Sequence, residues 1–242
     1  MIETWKPSPV AGVIGGLGPL ATANYLEAVV EQTAATVDQD HVELLVAQHS
    51  STPDRTAFLL GESDLSPVPA LTHDAKMLAG AGVDFLVIPC NTAHAFVDEV
   101  RAVVDVDVLD ILETTVAALG ERAGGPTRVG LLATDGTRLS QIYQRELTEA
   151  GHEVLLPDDV DQARIMALIY DQIKAGAGED GYPVLAEIVE DMYQSGAEYV
   201  ILGCTELPVA AKRIGLLRDR RVVDSVTSLA QATVVRAGNE LR

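Results

Sequence analysis

Cys90 and Cys204, the only cysteines in the chain and 114 positions apart, have side chains able to act as nucleophile, base or acid near neutral pH. Each follows an apolar run, Phe85-Leu-Val-Ile88 before the first and Tyr199-Val-Ile-Leu202 before the second. Each precedes polar residues, Asn91-Thr92-Ala93-His94 and Thr205-Glu206. Asn and Thr there are helix-capping types, and their side chains and free backbone N–H groups can hold a carboxylate. A thiol at a helix amino terminus is expected to ionise more readily. Either cysteine alone reads as a small inert core residue. The two in matching settings read as a pair of reactive groups aimed at one ligand.

Delivering them requires strands that end at a common edge. Short β-branched runs alternate with amphipathic stretches, the α/β signature of parallel sheets. The runs predict strands at Val10–Ile14, Val42–Ala47, Phe85–Ile88, Val106–Asp110, Val129–Ala133, Glu153–Leu156, Tyr199–Leu202 and Arg221–Asp224. Helices are expected at Ala21–Thr36, Pro69–Ala81, Leu139–Ala150 and Tyr182–Ser195.

The chain also repeats itself. Ala81 to Cys90 aligns without a gap on Ser195 to Cys204, and Val108-Leu-Asp110 aligns on Val222-Val-Asp224 at the same offset of 114. Tyr25 falls near Tyr143, more loosely. Open parallel sheets place ligands at the carboxyl ends of their strands. Two doubly wound halves are therefore expected, their cysteines approaching a ligand in the intervening cleft from opposite sides.

Composition narrows the partners. With 242 residues and 48% hydrophobic content, the chain can bury a core without disulfide or metal staples, and general disorder is excluded. Its net charge of −19 disfavours nucleic acid and anionic membranes and makes its four lysines (Lys6, Lys76, Lys174, Lys212) informative. No apolar stretch approaches the roughly 20 residues needed to span a bilayer. The amino terminus shows no signal-peptide pattern, and the sparse cysteines fit a reduced, cytoplasmic protein.

Cys90-Asn-Thr-Ala-His94 and Gly203-Cys-Thr-Glu-Leu207 resemble the paired cysteine motifs of the aspartate/glutamate racemase family, the racemases that work without pyridoxal phosphate. Gly15-Gly-Leu-Gly-Pro-Leu-Ala-Thr22 resembles that family's opening glycine-rich loop, with Leu17 where Met is more usual. Pro53-Asp-Arg-Thr56 resembles the segment marking the aspartate racemase branch, and Leu132-Ala-Thr-Asp-Gly-Thr137 the loop opening the second half. These landmarks span Gly15 to Asp224.

The resemblance implies inversion at an amino acid's Cα without a cofactor or metal. One cysteine thiolate removes the proton, and the other, as thiol, returns one on the opposite face. Charge accumulating on the α-carboxylate needs preorganised donors. Asn91, Thr92 and Thr205 are assigned that role, with Thr134 as a further candidate. Glu206 is a candidate for the substrate ammonium, its bland alternative being a helix-start carboxylate. Arg55, matching the family's substrate arginine, and Lys174, matching a lysine of the aspartate branch, are assigned to the side-chain carboxylate. His94 is expected either to tune Cys90 or to pack as a neutral core group. His49 is expected near the cleft. Asp110 and Asp224 read as helix caps.

Rival readings fit less well. Gly16-Leu-Gly18-Pro-Leu-Ala21 satisfies a dinucleotide-binding pattern, but the next strand ends in Gln48-His49 instead of the acidic residue that takes a ribose hydroxyl. Gly-x-Ser-x-Gly is absent, and no metal-ligand cluster is visible. Within the superfamily, a broad-specificity racemase, a diacid cis–trans isomerase and a decarboxylase remain alternatives, and a non-catalytic binding module lies outside them. The expected architecture is a first α/β domain over residues 1–105 plus 215–242 and a second over 106–214. A homodimer and a small acidic amino-acid substrate are what the family implies.

Overall fold

The computed structural model describes residues 8–242 and contains two four-stranded, all-parallel sheets. The first holds β1 (Val10–Gly15), β2 (Glu43–Gln48), β3 (Phe85–Val87) and β4 (Asp107–Leu109) in the order β2-β1-β3-β4. The second holds β5 (Arg128–Leu132), β6 (Glu153–Leu155), β7 (Tyr199–Leu202) and β8 (Val222–Asp224) in the order β6-β5-β7-β8. All eight expected strands form, and the two orders are the same.

The repeat extends to register. Leu86 sits opposite Val108 in the first sheet, and Val200 opposite Val222 in the second, both pairs related by 114. The leading strands keep a different offset. Gly12 faces Leu86 and Gly130 faces Val200, so these glycines are 118 apart, as are Tyr25 and Tyr143. The spacing thus changes by four residues, one helical turn, between each half's first strand and its third.

Crossovers between parallel strands place helices on both faces. In the first half these are α1 (Pro19–Gln32), α2 (Arg55–Leu59), α3 (Val68–Gly80) and α4 (Val97–Arg101). α5 (Ile111–Ala123) links the halves. The second half adds α6 (Asp135–Ser140), α7 (Ile142–Glu149), α8 (Asp159–Ala167), α9 (Val184–Gln194), α10 (Leu207–Arg213) and α11 (Ser225–Arg236). The helix expected at Leu139–Ala150 is broken at Gln141, whose φ of 56° interrupts the α-helical path between α6 and α7. α1 stops at Gln32, because Thr33 is extended and bridges to Leu241.

Asp110 and Asp224 cap α5 and α11, accepting from Leu112 N and from Val226 N and Thr227 N. These two helices build the centre of the molecule. A shared core joins Tyr25 and Val29 of α1, Leu119 of α5, Tyr143 and Leu147 of α7 and Leu229 and Val234 of α11. Separate clusters on the outer faces serve the first sheet (Leu71, Leu78, Leu86, Val100) and the second (Ile165, Ile188, Val200, Leu202).

Within each sheet the last strand pairs with the third in chain order. β4 hydrogen-bonds β3, and β8 hydrogen-bonds β7, so each last strand completes the sheet that precedes it. What crosses back is α11, packed on α1, together with the tail, where Ala34 N bonds Glu240 O. No helix among the described residues is long and apolar enough to cross a membrane.

Candidate active site

Cys90 and Cys204 stand just beyond the carboxyl ends of β3 and β7, buried and free, and both line one small chamber between the halves. Leu17, Asp54, Arg55, Thr56, Asn91, Thr92, Thr134, Tyr170, Lys174, Thr205 and Glu206 complete its wall. Every residue assigned to the site from sequence is therefore brought together. The chamber has about 10 Å³ of free volume, room for one water. An outer cavity of about 490 Å³ shares Asp54, Arg55, Lys174 and Glu206 with it and adds Gly16, Gly18, Leu20, Ser50 and Thr52. Gly16 has φ +84° and lies against the His49 backbone, 2.6 Å from where a Cβ would stand, so only glycine fits that turn.

Arg55 opens α2 and is 7% exposed. Three guanidinium hydrogen bonds go to backbone carbonyls: Nη2 to Leu17 at 2.6 Å, and Nη1 to Pro53 at 3.0 Å and Thr52 at 3.4 Å. Its Nε is buried with no partner among the described residues. Burial opposes the Arg55 charge, but Cys90, Asp54 and Glu206 outweigh it and raise its pKa. Arg55 is thus a permanent cation beside Cys90, with donor capacity to spare.

Lys174 ends a π-helical segment, Leu168–Lys174, that continues α8. π-turns recur at functional sites because they re-aim side chains. Its Nζ lies 3.6 Å from Asp54 Oδ2 and 4.0 Å from the centre of the Tyr170 ring. Burial works against its charge, while Glu206, Tyr170, Cys204 and Asp54 more than compensate and push its pKa up. Tyr170 donates to Asp54 at 3.1 Å, so residues of the second half close over the first at the mouth. Asp54, the cap of α2, and Tyr170 were not singled out in the sequence.

Cys204 departs from expectation. Its thiol pKa is pushed well above the ordinary value, first by burial and then by Glu206, instead of being lowered at the start of α10. Sγ donates to Glu206 Oε2 at 3.1 Å, and Thr205 Oγ1 lies 3.4 Å from the same oxygen. Glu206 Oε1 is buried without a partner among the described residues. Cys204 is accordingly a thiol, and Glu206 has a free oxygen.

Thr92, Thr134 and Thr137 bring three buried hydroxyls into a triangle with sides of 2.9 to 3.1 Å across the interface between the halves. Thr134 also caps α6. Thr137 was missed, although it closes the Leu132-Ala-Thr-Asp-Gly-Thr137 motif that opens the second half. Asn91 does not cap the 3-10 turn that follows it. Its side chain bonds Ser225 and Tyr143 instead.

The two histidines fall outside the chemistry. His94 Nδ1 donates to the Cys90 carbonyl at 2.9 Å, and Nε2 accepts from Ile111 N at 3.2 Å. Both nitrogens are spent on backbone, and burial lowers its pKa, so His94 is a neutral brace for the Cys90 turn. His49 turns away to Asp74 on α3, at 2.5 Å, and lines neither chamber.

Pseudo-symmetric parallel-sheet halves meeting at a buried polar chamber define the class as a two-domain α/β racemase fold. The chain belongs to the Asp/Glu/hydantoin racemase family, whose model matches residues 14–233. It is 27% identical over 227 residues to the broad specificity amino-acid racemase RacX of Bacillus subtilis, covering 92% of this chain and 96% of the relative. Its structure resembles Picrophilus torridus aspartate racemase, with a TM-score of 0.84, 29% identity and coverage of 97% and 96% of the two chains. An aspartate racemase homologue from Pyrococcus horikoshii gives a TM-score of 0.74 at 26% identity, covering 96% of this chain and all of that one.

Proposed function

We propose that this racemase interconverts L- and D-aspartate without a cofactor, using Cys90 and Cys204 as the two proton-transfer groups. The observation that carries the reading is the unequal setting of two free cysteines in one chamber. Cys90 lies beside the Arg55 cation, while Cys204 donates its thiol proton to Glu206. A two-base inversion needs two such groups, one on each face of Cα.

In the forward step the Cα–H bond breaks, its proton passes to one sulfur, and the electron pair enters an enolate-like system with the α-carboxylate. The opposite thiol then delivers its proton to Cα from the other face. Asn91, Thr92, Thr134 and Thr205, on the chamber wall, are assigned to the charge developing on the carboxylate. Glu206 Oε1 takes the ammonium. Arg55 and Lys174 bind the side-chain carboxylate at the junction of the two chambers. At about 10 Å³ the inner chamber must widen to admit an amino acid.

The Pro53-Asp-Arg-Thr56 segment, and Glu206 where glutamate racemases usually carry histidine, favour aspartate over glutamate. The likeness to RacX supports a second reading, a broader amino-acid substrate range in the same site. The test is incubation of each enantiomer of aspartate, glutamate and alanine in deuterated water with no added cofactor. Aspartate is expected to lose optical activity with one deuterium entering Cα of the product. Turnover of alanine at a comparable rate would establish the broader reading, and inertness of all substrates would overturn both.

A further inference from the structure

One buried chain of hydrogen bonds reaches both cysteine turns without touching the cysteines. Tyr143 OH donates to Asn91 Oδ1 at 2.6 Å, Asn91 Nδ2 donates to Ser225 Oγ at 3.1 Å, and Ser225 Oγ donates to the Leu202 carbonyl at 2.9 Å. The far end dictates these directions. A carbonyl only accepts, so Leu202 takes the single Ser225 proton, and Ser225 must accept in turn from the Asn91 amide. That leaves Asn91 Oδ1 for Tyr143. Asn91 follows Cys90, and Leu202 lies two residues before Cys204.

Tyr143 closes the link a second way. A Cβ built on Gly203 would stand 3.1 Å from Tyr143 Cε2, so the ring packs on the residue preceding Cys204. Tyr143, Asn91 and Ser225 are all at most 1% exposed, so water does not compete for these bonds. The repeat separates this linkage from ordinary packing. The counterpart of Tyr143, at the offset of 118 shared by Gly12 and Gly130, is Tyr25, which is equally buried and pairs with Thr233 Oγ1 at 2.8 Å. The counterparts of Asn91 and Ser225, at the offset of 114, are Thr205 and Ile111.

We propose that Tyr143 and Ser225 are positioning residues for the racemase reaction: by tying Asn91 to Leu202 and Gly203 they fix the separation of the two sulfurs. The inference rests on the two-cysteine reading above. Removing a proton needs one sulfur, whereas inversion needs the second at the right distance on the far side. Misplacement by about 1 Å costs up to roughly 100-fold in a positioned reaction. Loosening the crossbar should therefore slow delivery from the far sulfur more than abstraction by the near one. The carbanion then regains a hydron on its original face.

The experiment follows L-aspartate with the full chain in deuterated water, comparing deuterium in recovered L-aspartate with deuterium in the D-aspartate formed. Tyr143→Phe and Ser225→Ala are each expected to raise that ratio at least about threefold and to lower kcat about tenfold. Tyr25→Phe, a matched loss of a buried hydroxyl, leaves the ratio unchanged. An unaltered ratio in folded Tyr143→Phe and Ser225→Ala, or an equal rise in Tyr25→Phe, overturns the proposal. Should Tyr143→Phe fail to fold, Ser225→Ala against Tyr25→Phe decides it. A wild-type enzyme that neither exchanges nor inverts aspartate would remove the underlying reading instead, a result the variants cannot mimic.

Discussion

Cys204 Sγ donates a hydrogen bond to Glu206 Oε2 at 3.1 Å, with both residues buried. The carboxylate opposes what the start of α10 would otherwise do. Backbone N–H groups there favour a thiolate, yet a negative charge two residues on, added to burial, keeps the proton on sulfur. One residue thus both holds the acid in its protonated form and turns a second oxygen toward the site.

Glu206→Gln removes the charge and leaves the shape. Part of the upward push on the Cys204 pKa disappears, so the thiol ionises at lower pH. Because the proposed chemistry needs one thiol, activity is lost as pH rises through that pKa. The alkaline limb of kcat/KM for aspartate is therefore expected to move to lower pH, with KM rising as the ammonium partner is lost. A limb that stays in place or moves up would separate Glu206 from the Cys204 titration.

Gly18→Ala tests the same carboxylate sterically. Gly18 has φ −109°, which any residue tolerates, but a Cβ there would stand 2.7 Å from Glu206 Oε1. The flexible carboxylate must swing aside while the backbone stays in place. The expected outcome is a melting temperature near wild type with kcat/KM for aspartate reduced about tenfold or more, the scale of a displaced binding group. Unchanged kinetics would show that Glu206 Oε1 makes no contact with substrate.

How far the sequence reaches is clear from individual residues. Both cysteines, Arg55 and Lys174 were legible because short motifs carry them and the 114-residue repeat pairs the strands that deliver Cys90 and Cys204. Asp54 and Tyr170, 116 residues apart, meet where a π-helical segment carries Tyr170 and Lys174, and local periodicity has no signature for that turn. His94 is ambiguous in sequence, since a residue four places beyond a cysteine can reach its thiol or its carbonyl, and packing selects the carbonyl. The partner of β4 is illegible for a related reason: three-residue strands say little about their neighbours, and only pairing places β4 beside β3.

Lys174→Met should reveal the closure at the mouth through pH. Burial raises the Asp54 pKa, but Ala57 N, Lys174, Arg55 and Tyr170 outweigh it and hold the carboxyl below its usual value. A depressed carboxylate pKa contributes stability above the unfolded value, about 3.9, and that stability fades as pH falls through the folded one. Losing Lys174 removes part of the contribution. The variant is expected to melt below wild type at pH 7, by the modest margin of a partly exposed pair, and the gap should narrow below about pH 4. KM for aspartate should also rise. Melting curves at pH 3, 5 and 7 decide the point, and a gap independent of pH would mean that packing on Tyr170, not charge, is what was lost.

Cys90→Ser and Cys204→Ser address the division of labour between the sulfurs. Each variant keeps one thiol and replaces the other with a hydroxyl too weakly acidic to exchange roles with it. Racemisation is expected to fall by at least about 100-fold in both, the lower range for loss of a positioned acid or base. Abstraction need not fall equally. The remaining sulfur faces one side of Cα, so each variant should wash deuterium into one aspartate enantiomer without inverting it, and the two variants should select opposite enantiomers. Exchange assays on separated L- and D-aspartate read this directly. The same enantiomer labelled by both variants would place the two sulfurs on one face of the substrate, an arrangement incompatible with inversion between them.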